Sequence, residues 1–99
     1  MNSETTVKEK TSIPFIQAPE WNQDIAIARS EFIGQAEEYI DIHSPEIGIT
    51  KSIERFLKAY NKGRLCHDIR KRLKDKRVRK STYYAWVDRY KYYGLSGLL

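Results

Sequence analysis

The stretch that decides the reading is Leu65–Gly94, LCHDIRKRLKDKRVRKSTYYAWVDRYKYYG. Eight of the eleven residues from Arg70 to Lys80 are Lys or Arg, and Val78 is the one apolar residue between Leu73 and Tyr83. Before this basic run, Leu65, Ile69 and Leu73 recur at steps of four, which predicts a short helix over Leu65 to Lys74. After it, Tyr83, Trp86, Val87 and Tyr90 share one face of a longer helix, Arg79 to Tyr93. Ser81 and Thr82 are capping-type residues at its start, and Gly94 ends it. Asp75 to Arg77 is the turn between the two helices, with Val78 as its buried anchor. Two helices joined in this way match a helix-turn-helix, whose second helix enters a DNA major groove.

Working outward toward the N-terminus, the rest of the chain is expected to build the core that holds this pair. Tyr60 ends an apolar stripe formed with Ile53, Phe56 and Leu57; Thr50 is the expected N-cap and Gly63 the left-handed C-cap. His43 to Ile49 reads as a loop. Before it, Trp21, Ile25, Ala28, Phe32, Ala36, Tyr39 and Ile40 recur at steps of three and four. They predict a first helix from Pro19 or Glu20 to about Ile42, where Ser44-Pro45 disfavours continuation. Gly34, inside this helix, suggests a close helix crossing. Residues 1–18 read as a polar tail or linker, 19–95 as the domain, and 96–99 as a truncated link to a following domain. The fold class is all-α: a small bundle of about four main helices with a C-terminal helix-turn-helix.

The formal net charge of +5 conceals an asymmetry. Residues 1–50 carry three Lys/Arg and nine Asp/Glu, a balance of −6, while residues 51–99 carry fifteen and four, a balance of +11. A chain polarised this way turns one face to a polyanion. The single cysteine, Cys66, permits no internal disulfide and suits a reducing compartment. No apolar run is long enough to span a membrane, and the N-terminus lacks an apolar signal core. The expected location is cytoplasmic.

The second helix of the pair divides into an inward and an outward face. With Tyr83, Trp86 and Tyr90 inward, Arg79, Lys80, Ser81, Tyr84, Ala85 and Asp88 are left to read bases. Arg or Lys recognises guanine through N7 and O6, and Ala85 is small enough to meet a thymine methyl. Lys71, Arg72, Lys74, Lys76 and Arg77 are the expected phosphate contacts, which set affinity without reading sequence. Cys66-His67 is an isolated pair, too few ligands for zinc. The acids of the first helix read as a solvated face, and no carboxylate–His or Ser–His arrangement stands out. No catalytic residue, metal or cofactor is therefore assigned, and double-stranded DNA is the expected partner, with neither a membrane nor a small-molecule substrate.

Three segments together carry a resemblance: WNQDIAIARSEFI from Trp21, SIERFLKAYNKGRL from Ser52, and VRKSTYYAWVDRYKYYGLSGL from Val78. In the last, Ser81-Thr82, Trp86 and Gly94-Leu95-x-Gly97-Leu98 look like an ST-x-x-x-W helix before a GL-x-GL segment. Over about Trp21 to Leu98 the chain resembles the end-DNA-binding region of bacteriophage Mu-type transposases. Two positions depart from that pattern: Arg79 stands where the family often has serine, and Tyr83 where leucine is usual. The resemblance implies a helical subdomain that grips the ends of a mobile element, with a DDE catalytic domain beyond Leu99 and contacts to other protomers through regions outside this chain. The same motif also serves transcriptional regulators. A helical protein-interaction module, its acidic first helix and basic last helices meeting partners, is the alternative of a different class.

Overall fold

Ala28, Phe32 and Ala36 are all but fully buried, one side chain per turn along a 28-residue helix, α1 (Glu20–Ile47). A computed structural model of the chain describes residues 14–99. The remaining helices are α2 (Ile49–Asn61), α3 (His67–Arg72) and α4 (Lys80–Tyr93), with 3-10 turns at Phe15–Gln17 and Gly94–Leu98. Among the described residues there is no strand, so the fold is a small all-α bundle.

Helix α1 continues past the expected stop at Ile42. Pro45 lies in its last turn, where it removes a single helical hydrogen bond. The break falls at Gly48, whose φ of 86° favours glycine; its N–H donates to the Ser44 carbonyl at 2.8 Å. The expected loop at 43–49 is thus one residue long. α2 starts at Ile49 with Gly48, not Thr50, in the capping position. Tyr39 meets Phe56 and Phe32 meets Tyr60, at ring separations of 5.5 and 4.7 Å, so the two helices form an antiparallel hairpin.

Phe32 is the hub of the core. Its ring is edge-on to Phe56 and Tyr60 of α2 and to Trp86 of α4, and tilted against Tyr83. Ile53, Leu57, Ile69, Leu73 and Val78, with Ala28 and Ala36, complete the main cluster. Fully burying each of the larger apolar side chains stabilises the fold by about 1.5–3 kcal/mol. A second, smaller cluster joins Ala26 and Ile33 of α1 to Leu98. Residues 96–99, expected as a link, therefore include a core side chain, 1% exposed. Arg29 reinforces this contact: it donates to the Leu98 carbonyl at 2.7 Å and stacks over the Trp86 ring at 5.0 Å.

Several expectations need correcting. The predicted tail 1–18 lies outside the described residues up to 13, but Ala18 is buried. Trp21 is 65% exposed and Tyr90 38%, so neither belongs to the core. Among the described residues, no atom outside its own helical turn lies near the place a Cβ at Gly34 would occupy, and no helix crosses there. The glycine that a close approach does require is Gly97, where a Cβ would collide with the Arg89 carbonyl oxygen.

Candidate nucleic-acid interface

α3 is shorter than its periodicity suggests because left-handed residues bound it at both ends. Cys66 precedes it with φ 55°, and Lys74 and Asp75 follow with φ 62° and 56°. Such a conformation costs a non-glycine residue roughly 1–2 kcal/mol, so the segment from Leu73 to Arg79 must be held by its surroundings. Within it, the Asp75 N–H donates to the Arg70 carbonyl at 2.8 Å and the Lys74 N–H to that of Lys71 at 3.0 Å. The Arg70 guanidinium bonds the Asp75 carboxylate at 3.0 Å.

The strongest restraint comes from α2. Asn61 Nδ2 donates to the Val78 carbonyl at 2.9 Å, and Asn61 Oδ1 accepts from the Val78 N–H at 2.8 Å. One side chain thus satisfies both polar groups of a residue that is 2% exposed. With Val78 anchored, Arg79 takes up extended geometry as the N-cap residue of α4. Neither Ser81 nor Thr82 caps; the helix start has no side-chain cap hydrogen bond.

Tyr83 is the inward residue of the first turns of α4, 4% exposed. Burial drives its hydroxyl up to about 12, and does the same for Tyr60. Around Tyr83, the expected base-reading residues Arg79, Lys80, Ser81, Tyr84, Ala85 and Asp88 are all exposed. Lys71, Lys74, Lys76 and Arg77 are exposed beside it, and the salt bridges among the described residues involve none of them.

Two expected contacts are already engaged. Arg72 turns toward α1 and grips Glu31 with both guanidinium arms, at 2.9 and 3.1 Å, while also reaching Asp68 at 3.3 Å. The paired hydrogen bonds hold the Glu31 carboxyl below its usual range and the Arg72 guanidinium above its own. Arg72 thus fastens α3 to α1 and stands apart from the other basic residues. Lys80 bonds Glu54 of α2 at 2.9 Å, which raises its ammonium pKa. Of the four acids in residues 51–99, Glu54, Asp68 and Asp75 each hold a cation, and Asp88 is left on the outer face of α4.

Between α2 and the segment 73–80 runs an open groove of about 640 Å³, lined among others by Lys58, Lys62, Arg77, Arg79 and Lys80. Asn61 and Val78 lie on its wall. Nothing in the sequence marks Asn61 for this role, since an Asn-Lys-Gly run is also an ordinary helix terminus. Burial pushes the Cys66 thiol up, away from the reactive thiolate, while His67 Nε2 lies 2.7 Å from the Gly63 carbonyl. Among the described residues no three His, Cys, Asp or Glu side chains converge as a metal site would need, and no helix is long and apolar enough to cross a membrane. No family model, curated protein or solved structure matches the chain.

Proposed function

We propose that α3, the segment 73–79 and α4 act as a helix-turn-helix that binds double-stranded DNA, with α4 in the major groove. The supporting observation is the unequal use of charge around α4. The nearby carboxylates Glu54, Asp68 and Asp75 are bonded to Lys80, Arg72 and Arg70. Lys71, Lys74, Lys76, Arg77 and Arg79, close together in the segment leading into α4, are exposed without such partners among the described residues. Exposed cations clustered in this way attract a phosphate backbone and give a steep salt dependence. In this reading Arg79, Lys80, Ser81, Tyr84, Ala85 and Asp88 face base edges, with Asp88 suited to accept from a cytosine amino group.

The order of Ser81-Thr82, Trp86 and Gly94-Leu95-x-Gly97-Leu98 supports a narrower reading. The chain serves as the end-binding part of a Mu-type transposase, acting in the cytoplasm on the DNA of a mobile element. Its contribution is recognition, with strand transfer assigned to a different domain.

The test is a selection from a randomised duplex library, followed by Arg79→Ala on the enriched site. Loss of one Arg–guanine contact should remove about 1–3 kcal/mol of preference at one base pair, leaving non-specific affinity mostly intact. Glu54→Gln should strengthen binding by releasing Lys80. In an NMR titration with the enriched duplex, amides from Arg77 to Asp88 should shift most and those of Glu37, Glu38 and Asp41 least. A protein that enriches no sequence and binds duplex without salt dependence is not a helix-turn-helix DNA reader.

A further inference from the structure

Lys51, Arg55, Lys58 and Lys62 follow one another along α2 at steps of four, three and four. That spacing puts them on one stripe, about 16 Å long at 1.5 Å per residue. All four are exposed. Their direction is fixed, because Ile53, Phe56, Leu57 and Tyr60 bury the other side of the same helix.

We propose that this stripe is a second phosphodiester-binding track, continuous with the groove beside α4 and engaging backbone that the segment 71–79 does not reach. The inference rests on the DNA-binding reading above and extends it to an element outside the helix-turn-helix.

Three observations carry it. First, the stripe and the groove share residues: Lys58 and Lys62 form one wall, facing Arg77 and Arg79 across the opening. A shallower depression lined by Lys51, Glu54, Arg55 and Lys58 prolongs it along α2. Second, none of the four cations forms a salt bridge among the described residues, and the one acid beside them, Glu54, is held by Lys80. Third, the arrangement disfavours the isolated helix. Lys51 with Arg55, and Lys58 with Lys62, are like charges four residues apart, each pair destabilising by a few tenths of a kcal/mol. A helix selected for folding alone would interleave acids here, as α1 and α3 do where Glu31 and Asp68 meet Arg72. Lysines on flexible stems suit a phosphate backbone, which requires charge more than fixed geometry. An anionic lipid surface would call for an apolar flank along the stripe; the exposed apolar residue nearby, Ile49, sits only at its N-terminal end.

The experiment compares the full chain with the triple variant Arg55→Gln/Lys58→Gln/Lys62→Gln. Fluorescence anisotropy follows binding to a mixed-sequence duplex across a salt series, with circular dichroism melts run in parallel. Each lost phosphate contact lowers the slope of log affinity against log salt by about 0.9, so the triple variant should lose roughly 2–3 from it. At about 0.1 M salt this is a loss on the order of a hundredfold in affinity. The melt should be unchanged or a few degrees higher, since the variant removes both like-charge pairs. If the triple variant melts early, the single variants replace it, each expected to lower the slope by about 0.9. A wild-type chain that binds with a steep slope, alongside variants that keep that slope, overturns the second track and leaves the α4 reading intact. A wild-type chain with no salt-dependent duplex binding overturns both, and tight binding to phosphatidylserine vesicles instead would assign the stripe to a membrane surface.

Discussion

Asn61→Ala tests how the start of α4 is set. The side chain makes two hydrogen bonds to Val78, at 2.9 and 2.8 Å, and bridges the end of α2 to the segment that precedes α4. Each bond contributes about 1 kcal/mol net, and the Val78 N–H and carbonyl left behind add their own desolvation cost. The groove beside them is open, so water can partly replace the lost partner; the expected loss is therefore near the lower end, about 2–3 kcal/mol. For a domain of this size, each kcal/mol lowers the melting temperature by about 4–8 °C, so the variant should melt roughly 10–20 °C early. Asn61→Asp keeps the acceptor for the Val78 N–H but sets a carboxylate against the carbonyl, and should melt no higher than wild type. The assay is a circular dichroism melt at low protein concentration. An alanine variant that melts within a couple of degrees of wild type would show that Leu73–Arg79 holds its shape without α2, and would refute the argument.

Three further outcomes follow from the packing. Trp86→Ala should destabilise by about 3 kcal/mol and Phe32→Ala by more, since Phe32 is fully buried and Trp86 is half-buried; chemical denaturation that ranks them the other way would displace Phe32 as the hub. Gly34→Ala should stabilise by up to about 1 kcal/mol because its site is open and helical. Gly97→Ala, forced against the Arg89 carbonyl, should destabilise by about 1–3 kcal/mol; thermal melts of the pair moving in one direction would contradict this. Tyr60 and Tyr83 are held neutral to about 12 by burial, above the unfolded tyrosine value of about 10. Their contribution is complete below about pH 10 and is lost as pH rises toward 12. Tyr60→Phe should flatten that alkaline loss, and, because its buried hydroxyl has no partner among the described residues, should leave neutral-pH stability unchanged or slightly higher.

The apolar stripes were legible because burial follows the helical repeat: Ala28, Phe32 and Ala36, and Ile53, Phe56, Leu57 and Tyr60, are buried as their spacing predicts. Val78 could be identified as an anchor because it stands alone among charges. The boundaries were harder to read. Pro45 resembles a stop, but within the last turn it costs only one hydrogen bond, and the actual break required the positive φ that Gly48 supplies. The shortening of α3 comes from left-handed Cys66, Lys74 and Asp75; of these only aspartate tolerates that conformation more readily than most residues, too weak a signal to mark the boundary. Helical periodicity aligns Trp21 with the buried stripe of α1 and Tyr90 with Tyr83 on α4, but spacing does not ensure cover, and both side chains are exposed. Among the candidate site residues, exposure of the α4 face followed from the position of Tyr83. The diversion of Arg72 to Glu31, 41 residues away in sequence, depends on the packing of α3 against α1, which local patterning does not contain.

Leu98 packs against Ala26 and Ile33, and Arg29 reaches its carbonyl across 69 residues. This has a consequence for synthesis on the ribosome. Once Tyr60 has left the ribosomal tunnel, the α1–α2 hairpin can close on itself, yet the side of Phe32 that receives Tyr83 and Trp86 is still bare. Leu98 is added 38 residues after Tyr60, roughly 2–8 s later at 5–20 residues per second. During that interval the nascent chain presents an aromatic surface with no cover of its own. Ribosome-bound chains that end at Asn61 and are tethered by a flexible spacer long enough to clear the tunnel should therefore recruit hydrophobic-binding chaperones, and chains that run through Leu98 into the same spacer should release them.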